Sequence, residues 1–254
     1  MPPTEYGLST WDENDPKLGG NDFKRYSSIT VLAKRDDDCI YSLPNELICQ
    51  ELGRAIGLPV PVGVVGERES VSYYASLMFN MAGQILPPAD AKRFVDEQPE
   101  LAFGITMFEI WVGNEDRHAK NIHYDTSSRR TQIFDHSQCL MHFQGKFTLE
   151  RKADILALGG SQNCLLPHLS SLNSCWDWYS RITSLPDYFI RDKVEETVRW
   201  GMPTGDAVCC VDFLLTRRHK LLQLIRSNRS EFVLASNAIS NIAAFDTQES
   251  DYII

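Results

Sequence analysis

Apolar and polar positions change regime several times along the chain. Residues 1–28 are polar and turn-rich, with Gly7, Pro16, Gly19 and Gly20 among few apolar positions. Ile29 to Lys34 then reads Ile-Thr-Val-Leu-Ala-Lys, β-branched at its start, which predicts a strand ended by the acidic turn Asp36-Asp37-Asp38. Next, Leu47, Ile48, Leu52, Ala55 and Ile56 recur at helical spacing. Pro44 suits the opening of that helix, where a missing N–H costs no bond, and Gly57 with Pro59 stops it. Two further strands are predicted, Pro61 to Val65 and Val71 to Phe79, around the charged turn Gly66-Glu67-Arg68-Glu69. Strand, helix, strand, strand makes a small α+β unit.

Pro87-Pro88 marks a change of character. Helices are predicted from Ala89 to Glu97 and from Leu101 to Val112. In the second, Leu101, Ile105, Phe108 and Val112 form one stripe that Met107 and Trp111 widen, the pattern of a deeply buried helix. Gly113 ends it as a left-handed cap would. A charged loop, Asn114 to Asn121, leads into a predicted hairpin: Ile122 to Tyr124, a turn through Asp125 to Arg130, then Thr131 to Phe134. The rest is mainly helical, with Asp187 to Trp200 and Asp206 to Ser227 the clearest runs. The last stretch, with Asp246, Glu249 and Asp251, reads as an acidic tail.

Composition narrows the class of protein. The 254 residues are 43% hydrophobic and 23% charged, which suits a sizeable core and excludes a disordered or fibrous chain. With 25 Lys+Arg against 34 Asp+Glu the net charge is −9, and an acidic surface disfavours broad nucleic-acid binding. No stretch approaches the ~20 apolar residues a membrane span needs. The seven cysteines (Cys39, Cys49, Cys139, Cys164, Cys175, Cys209 and Cys210) contain no Cys-x-x-Cys pair, and the start lacks a basic region followed by an apolar run. A reduced, cytoplasmic compartment is expected, with the cysteines acting mostly as small buried apolar residues.

Candidate chemistry sits between Gly113 and Ser137. Phosphoryl transfer needs one carboxylate to orient an acceptor hydroxyl and two oxygen ligands to hold Mg²⁺ against nucleotide phosphates. Asp116 and Asn121 share a loop after a buried helix and can face one cleft. The hairpin then returns the chain, so Asp135 can come back beside Asn121. Asp, Asn and Asp in this order, on helix, loop and hairpin, is the catalytic half of a kinase site.

Asn114-Glu115-Asp116-Arg117-His118-Ala119-Lys120-Asn121 resembles the catalytic loop of HipA-like kinases. Asn45-Glu46-Leu47-Ile48 running to Gly57-Leu58-Pro59-Val60-Pro61 looks like that family's first helix and its exit. Leu214-Leu215-Thr216-Arg217-Arg218, followed by Leu221-Leu222, is similar to a helix near its end. The resemblance spans about residues 29–230. It implies an α+β, bilobal protein-kinase-like fold, with a small β-rich N-lobe in 1–80, a mainly helical C-lobe in 81–232 and an acidic tail in 233–254. It further implies ATP between the lobes and Mg²⁺ as cofactor, with Asp116 catalytic and Asn121 and Asp135 as metal ligands. On the nucleotide side it points to Lys34, with Glu46 as its partner, and to His118. Phe79, Asn80 and Met81, between the lobes, are the candidate adenine-facing hinge.

Several positions carry a second reading. Lys34 is either a phosphate contact or an exposed strand end, and an alternative strand, Cys39 to Leu43, holds no lysine. Glu46 in a first helical turn is favoured by the helix dipole alone. Arg117 contacts phosphate or pairs with a neighbouring carboxylate, and His118 structures its loop through backbone hydrogen bonds. Gly19-Gly20 is the sole candidate phosphate loop and also reads as a turn. His118, His123, His136, Cys139 and His142 crowd one region, but the paired short-spaced ligands of a zinc site are absent. Trp176, Trp178 and Tyr179 line a peptide groove or the helical core, and Cys209-Cys210 reads as core.

Three functions follow. The first is a HipA-like kinase acting on a hydroxyl, with protein Ser or Thr as acceptor and ATP and a protein substrate as partners. The second is a phosphoinositide-kinase-like lipid or small-molecule kinase, because Asp-Arg-His-x-x-Asn-Ile also resembles that catalytic loop. The third is a nucleotide-binding pseudokinase serving as a regulatory module. The intact Asp116, Asn121 and Asp135 set favours an enzyme.

Overall fold

The computed structural model describes residues 31–35, 41–68, 70–77, 80–81, 84–85, 87–114, 116–140, 163–169 and 174–227. Ile29, Thr30, Cys39, Phe79, His142, the Gly19-Gly20 pair and the acidic tail lie outside them. The architecture is α+β, with three small antiparallel sheets and a mainly helical remainder.

Strand β1 (Val31–Lys34) is followed by helix α1 (Ser42–Ala55), then by strands β2 (Gly63–Arg68) and β3 (Val71–Leu77). The three strands pair antiparallel in the order β1-β3-β2, with Lys34 opposite Tyr74 and Gly63 opposite Ser76. The turn predicted at Gly66 to Glu69 falls later. Gly66, Glu67 and Arg68 stay in the ladder opposite Tyr73, Ser72 and Val71. Among the described residues β2 is an edge of this sheet, and an edge strand tolerates charged residues that a central one would not. Helix α1 buries Ile48, Cys49 and Leu52 and ends where Gly57 takes φ +89°, its N–H bonded to the Arg54 carbonyl.

Strands β4 (Asn80–Met81) and β5 (Gln84–Ile85) pair with each other. Helix α2 (Ala91–Glu97) starts two residues later than predicted, because Ala89 donates its N–H to the Ile122 carbonyl and Pro88 bridges His123. The Asp90 side chain caps it by accepting from the Arg93 N–H. Helix α3 (Pro99–Val112) is buried continuously from Ala102 to Val112, and Gly113 closes it at φ +68°. Strands β6 (Ile122–Asp125) and β7 (Arg130–Ile133) form the predicted hairpin, with Ile122 opposite Ile133.

Helices α4 (Cys175–Thr183), α5 (Asp187–Glu195) and α6 (Thr204–Ser227) pack around α3 and α1. The helix predicted to run to Trp200 tightens into a 3₁₀ turn over Glu196–Trp200, and Gly201 at φ +102° ends it. Trp178 donates its indole N–H to the Glu100 carbonyl and lies over Gly104, where a Cβ would sit 2.1 Å from its ring. Trp178 therefore belongs to the core, and Trp176 and Tyr179 pack against it. Cys210 is also core, with Cys209 half-buried at its margin. Among the described residues, no helix is long and apolar enough to cross a membrane.

Candidate active site

The three-stranded sheet and the β6–β7 hairpin bring the candidate residues together from separate stretches of chain. Lys34 ends β1 and projects toward α1 and the segment after β7. Its Nζ lies 2.7 Å from Glu46 Oε1 and 2.7 Å from Asp135 Oδ1. Burial favours the neutral amine, but the carboxylates of Glu46 and Asp135 prevail and hold the Lys34 pKa above its ordinary value. Burial likewise opposes charge on Glu46 and Asp135, yet their cationic neighbours keep both below the usual carboxylate range.

Asp135 follows β7 with φ +64°, a left-handed conformation uncommon for a residue with a side chain and concentrated at functional sites. The Ser137 hydroxyl donates to its Oδ1 at 2.8 Å. Across the hairpin, the Phe134 N–H donates to the Asn121 carbonyl at 3.2 Å, so Asn121 and Asp135 stand at neighbouring ends of one ladder. Asn121, on the 3₁₀ turn Ala119–Asn121, donates its Nδ2 to the Asp116 carbonyl at 3.2 Å. That bond uses the amide nitrogen and not the oxygen a cation would need. The Asp116 carboxylate is 39% exposed. Its N–H is held by Asn114 Oδ1 at 2.9 Å.

His118 is exposed. Its N–H donates to the Asp116 carbonyl at 3.0 Å and its carbonyl accepts from the Asn121 N–H at 2.9 Å, while its ring lies 3.9 Å from Asp116 Oδ2. The backbone bonds match the loop-structuring reading. Arg117 points the other way, fully buried, onto Glu109. Of its two readings, the carboxylate partner is the one found.

The remaining histidines of the crowded region go separate ways. His136 is fully buried, with Nδ1 3.8 Å from Glu46 Oε2 and Nε2 3.6 Å from Glu109 Oε1, ion-pair contacts longer than hydrogen bonds. Burial alone would depress its pKa, but the two carboxylates push it up to about 9. His123 packs edge-on against Phe134 at 4.6 Å, and burial keeps its imidazole neutral to lower pH than usual. Cys139 is buried in the core, and His142 is outside the described residues.

A cavity of about 220 Å³ opens between sheet and hairpin. Leu32, Pro61, Ser76 and Leu77 line one side, with Lys120, His123, Gln132 and Phe134 on the other. Gln132 Nε2 donates to the Leu77 carbonyl at 3.1 Å and ties the two walls together. A mainly apolar lining with a few polar groups suits a heteroaromatic ring. The sequence marks none of these residues as a nucleotide contact, although a signal exists. Leu32 shares a strand face with Lys34, Phe134 precedes Asp135, and His123 lies two positions after Asn121. Of the three residues expected to form a hinge, Asn80 and Met81 form β4, and Phe79 is outside the described residues.

No protein-family model matches the chain, and no curated protein matches its sequence. Among solved structures, the Helicobacter pylori proinflammatory kinase CtkA is similar over 83% of this chain and 90% of its own, at a TM-score of 0.48 and 14% identity. A chain of the Shewanella oneidensis MR-1 toxin–antitoxin complex of HipA, HipB and operator DNA is similar over 90% of this chain and 70% of its own, at a TM-score of 0.38 and 14% identity.

Proposed function

We propose that this protein is a HipA-like, ATP-dependent kinase that transfers the γ-phosphate to a hydroxyl of protein Ser or Thr. The observation that carries the reading is Lys34, whose ammonium lies 2.7 Å from both Glu46 and Asp135 beside a base-sized cavity. A lysine steadied by a helix carboxylate and next to a second carboxylate is a charge pattern suited to nucleotide phosphates.

In this reading the cavity takes the base and Lys34 takes the non-transferred phosphates. Asp116 orients the acceptor hydroxyl. As the acceptor oxygen bonds to the γ-phosphorus, the bond to the ADP oxygen breaks and Asp116 accepts the hydroxyl proton, an effect worth roughly 10²–10⁴-fold. Asn121 and Asp135 fit Mg²⁺, since both offer hard oxygen donors and this ion commonly takes one or two carboxylates plus phosphates and water. When bound, it offsets the charge on the phosphoryl oxygens. Asn80 and Met81, which form β4, serve as the adenine-facing hinge in this reading.

Thermal-shift titration with Mg-ATP tests the binding half. Nucleotide at about 100 times Kd should stabilise the protein by roughly 2.7 kcal/mol, and Asp135→Ala should abolish the metal-dependent part of the shift. No shift at millimolar Mg-ATP removes the nucleotide reading altogether. Radiolabel transfer tests the chemical half, with label on protein in the wild type and none in Asp116→Ala. Label on lipid alone would select the lipid-kinase reading, and binding without transfer to any acceptor the regulatory pseudokinase.

A further inference from the structure

The oxygen-bearing groups of the site sit on short pieces of chain, a loop for Asp116, a 3₁₀ turn for Asn121 and the end of the hairpin for Asp135. What lies behind them is Arg117, fully buried. Its Nη1 donates to the Asn121 carbonyl at 2.9 Å and to the Phe134 carbonyl at 2.6 Å. Phe134 directly precedes Asp135, and Arg117 directly follows Asp116. One planar, rigid group therefore touches the backbone beside each of the three site residues. Because Nε and Nη2 face Glu109 while Nη1 faces the two carbonyls, the planar guanidinium holds both sides at fixed angles, which a single lysine nitrogen cannot.

The other edge of the guanidinium is anchored. Arg117 Nε donates to Glu109 Oε1 at 2.9 Å, and Nη2 lies 2.7 Å from the same oxygen. Glu109 is fully buried in α3, in a run that is otherwise apolar apart from Thr106. As a source of stability this arrangement is poor, because desolvating both charges offsets most of their attraction and an apolar pair of similar size often does as well. The pair does supply a defined position, tied to the most deeply buried helix of the molecule.

We infer that Arg117 and Glu109 are positioning residues for phosphoryl transfer, with Arg117 setting the spacing of Asp116, Asn121 and Asp135 and Glu109 anchoring it to α3. The inference rests on the phosphotransferase reading above. The decisive variant is the double replacement Glu109→Leu with Arg117→Met, which removes both charges together and leaves neither buried alone. The double variant is expected to fold, with circular dichroism like the wild type and nucleotide binding without metal unchanged. The Mg²⁺-dependent gain in nucleotide affinity should fall about 10–100-fold, the range seen when partners behind metal ligands are lost. In transfer assays kcat should fall more than KM for the nucleotide.

A folded double variant with wild-type Mg²⁺ dependence and wild-type kcat overturns the inference. Should the double variant not fold, Arg117→Lys serves instead. It keeps the charge opposite Glu109 but cannot hold Glu109 and the two carbonyls from separate nitrogens, so the same loss of Mg²⁺ dependence is expected, and its retention overturns the inference. If the wild type itself shows no Mg²⁺-dependent nucleotide binding, the phosphotransferase reading fails and takes the positioning role with it. Wild-type binding with an indifferent variant defeats the positioning role alone.

Discussion

Trp111 and Arg117 are both fully buried and close in sequence, yet opposite forces hold them. Trp111 sits in α3 among apolar side chains, edge-on to Phe108 with centroids 6.1 Å apart, and spends its one polar group on the Leu214 carbonyl. Arg117 sits among charges: Glu109 before it, His136 beyond Glu109, then Glu46, then Lys34 and Asp135. The first region gains free energy from area removed from water and is tolerant of direction. The second contributes little net stability for the number of charges it buries, but its hydrogen-bonded contacts are directional and fix where the charged groups lie. The helical region therefore supports the fold, and the ionic chain running through it shapes the site.

That contrast can be broken by mutation. Trp111→Ala removes a large ring and a buried hydrogen bond, for an expected loss of about 3–5 kcal/mol. For a chain of this length the melting temperature should drop by about 10 °C, at roughly 2–4 °C per kcal/mol. The drop should be the same at pH 6 and pH 9, and strong pH dependence would contradict an apolar origin. Gly104→Ala should cost less, about 1–3 kcal/mol. Its Cβ would lie 2.1 Å from the Trp178 ring, which must shift. Chemical denaturation should show a lower midpoint, and an unchanged midpoint would mean that α3 and α4 are loosely packed.

The most specific effect belongs to the ionic chain. The His136 pKa stands at about 9 in the folded protein against an ordinary 6.5. A raised folded-state pKa contributes stability that is fully present below the unfolded value and is lost as pH rises through the folded one. The difference in melting temperature between wild type and His136→Gln should therefore be widest near pH 6 and close progressively by pH 9. Over that range Glu46 and Glu109, both held below the usual carboxylate range, stay ionised and do not confound it. A difference that stays constant over that range would show that His136 is held neutral.

Much of the local structure was legible in the sequence because local rules govern it. Helical spacing located α1 and α3, and Gly113 marked the end of α3 because few other residues accept φ +68°. The hairpin was readable from two short apolar runs around a polar turn, and it implied that Asn121 and Asp135 return to one another. The misplaced turn after β2 has the opposite cause, since Glu67 and Arg68 look like turn residues and only the partner strand keeps them extended. Ala89 was claimed for α2 for the same kind of reason, as its bond to Ile122 crosses to another element.

The candidate site divides along the same line. Asp116, Asn121 and Asp135 could be named as candidates from their spacing and from the resemblance of their loop, since one loop and one hairpin carry all three. Lys34 had two open readings, and its partners Glu46 and Asp135 lie on elements that only packing brings near it. Arg117 had two as well, and the choice fell to Glu109, a lone carboxylate in an apolar helix that no periodicity marks as functional. The cavity walls come from two distant segments and became a pocket only when sheet and hairpin met. By itself the sequence determined which stretches form helices, strands and caps, because those depend on neighbours a few residues away. Tertiary structure alone decided which charges share a dry interior, because burial and ion pairing act through space, where sequence separation carries no weight.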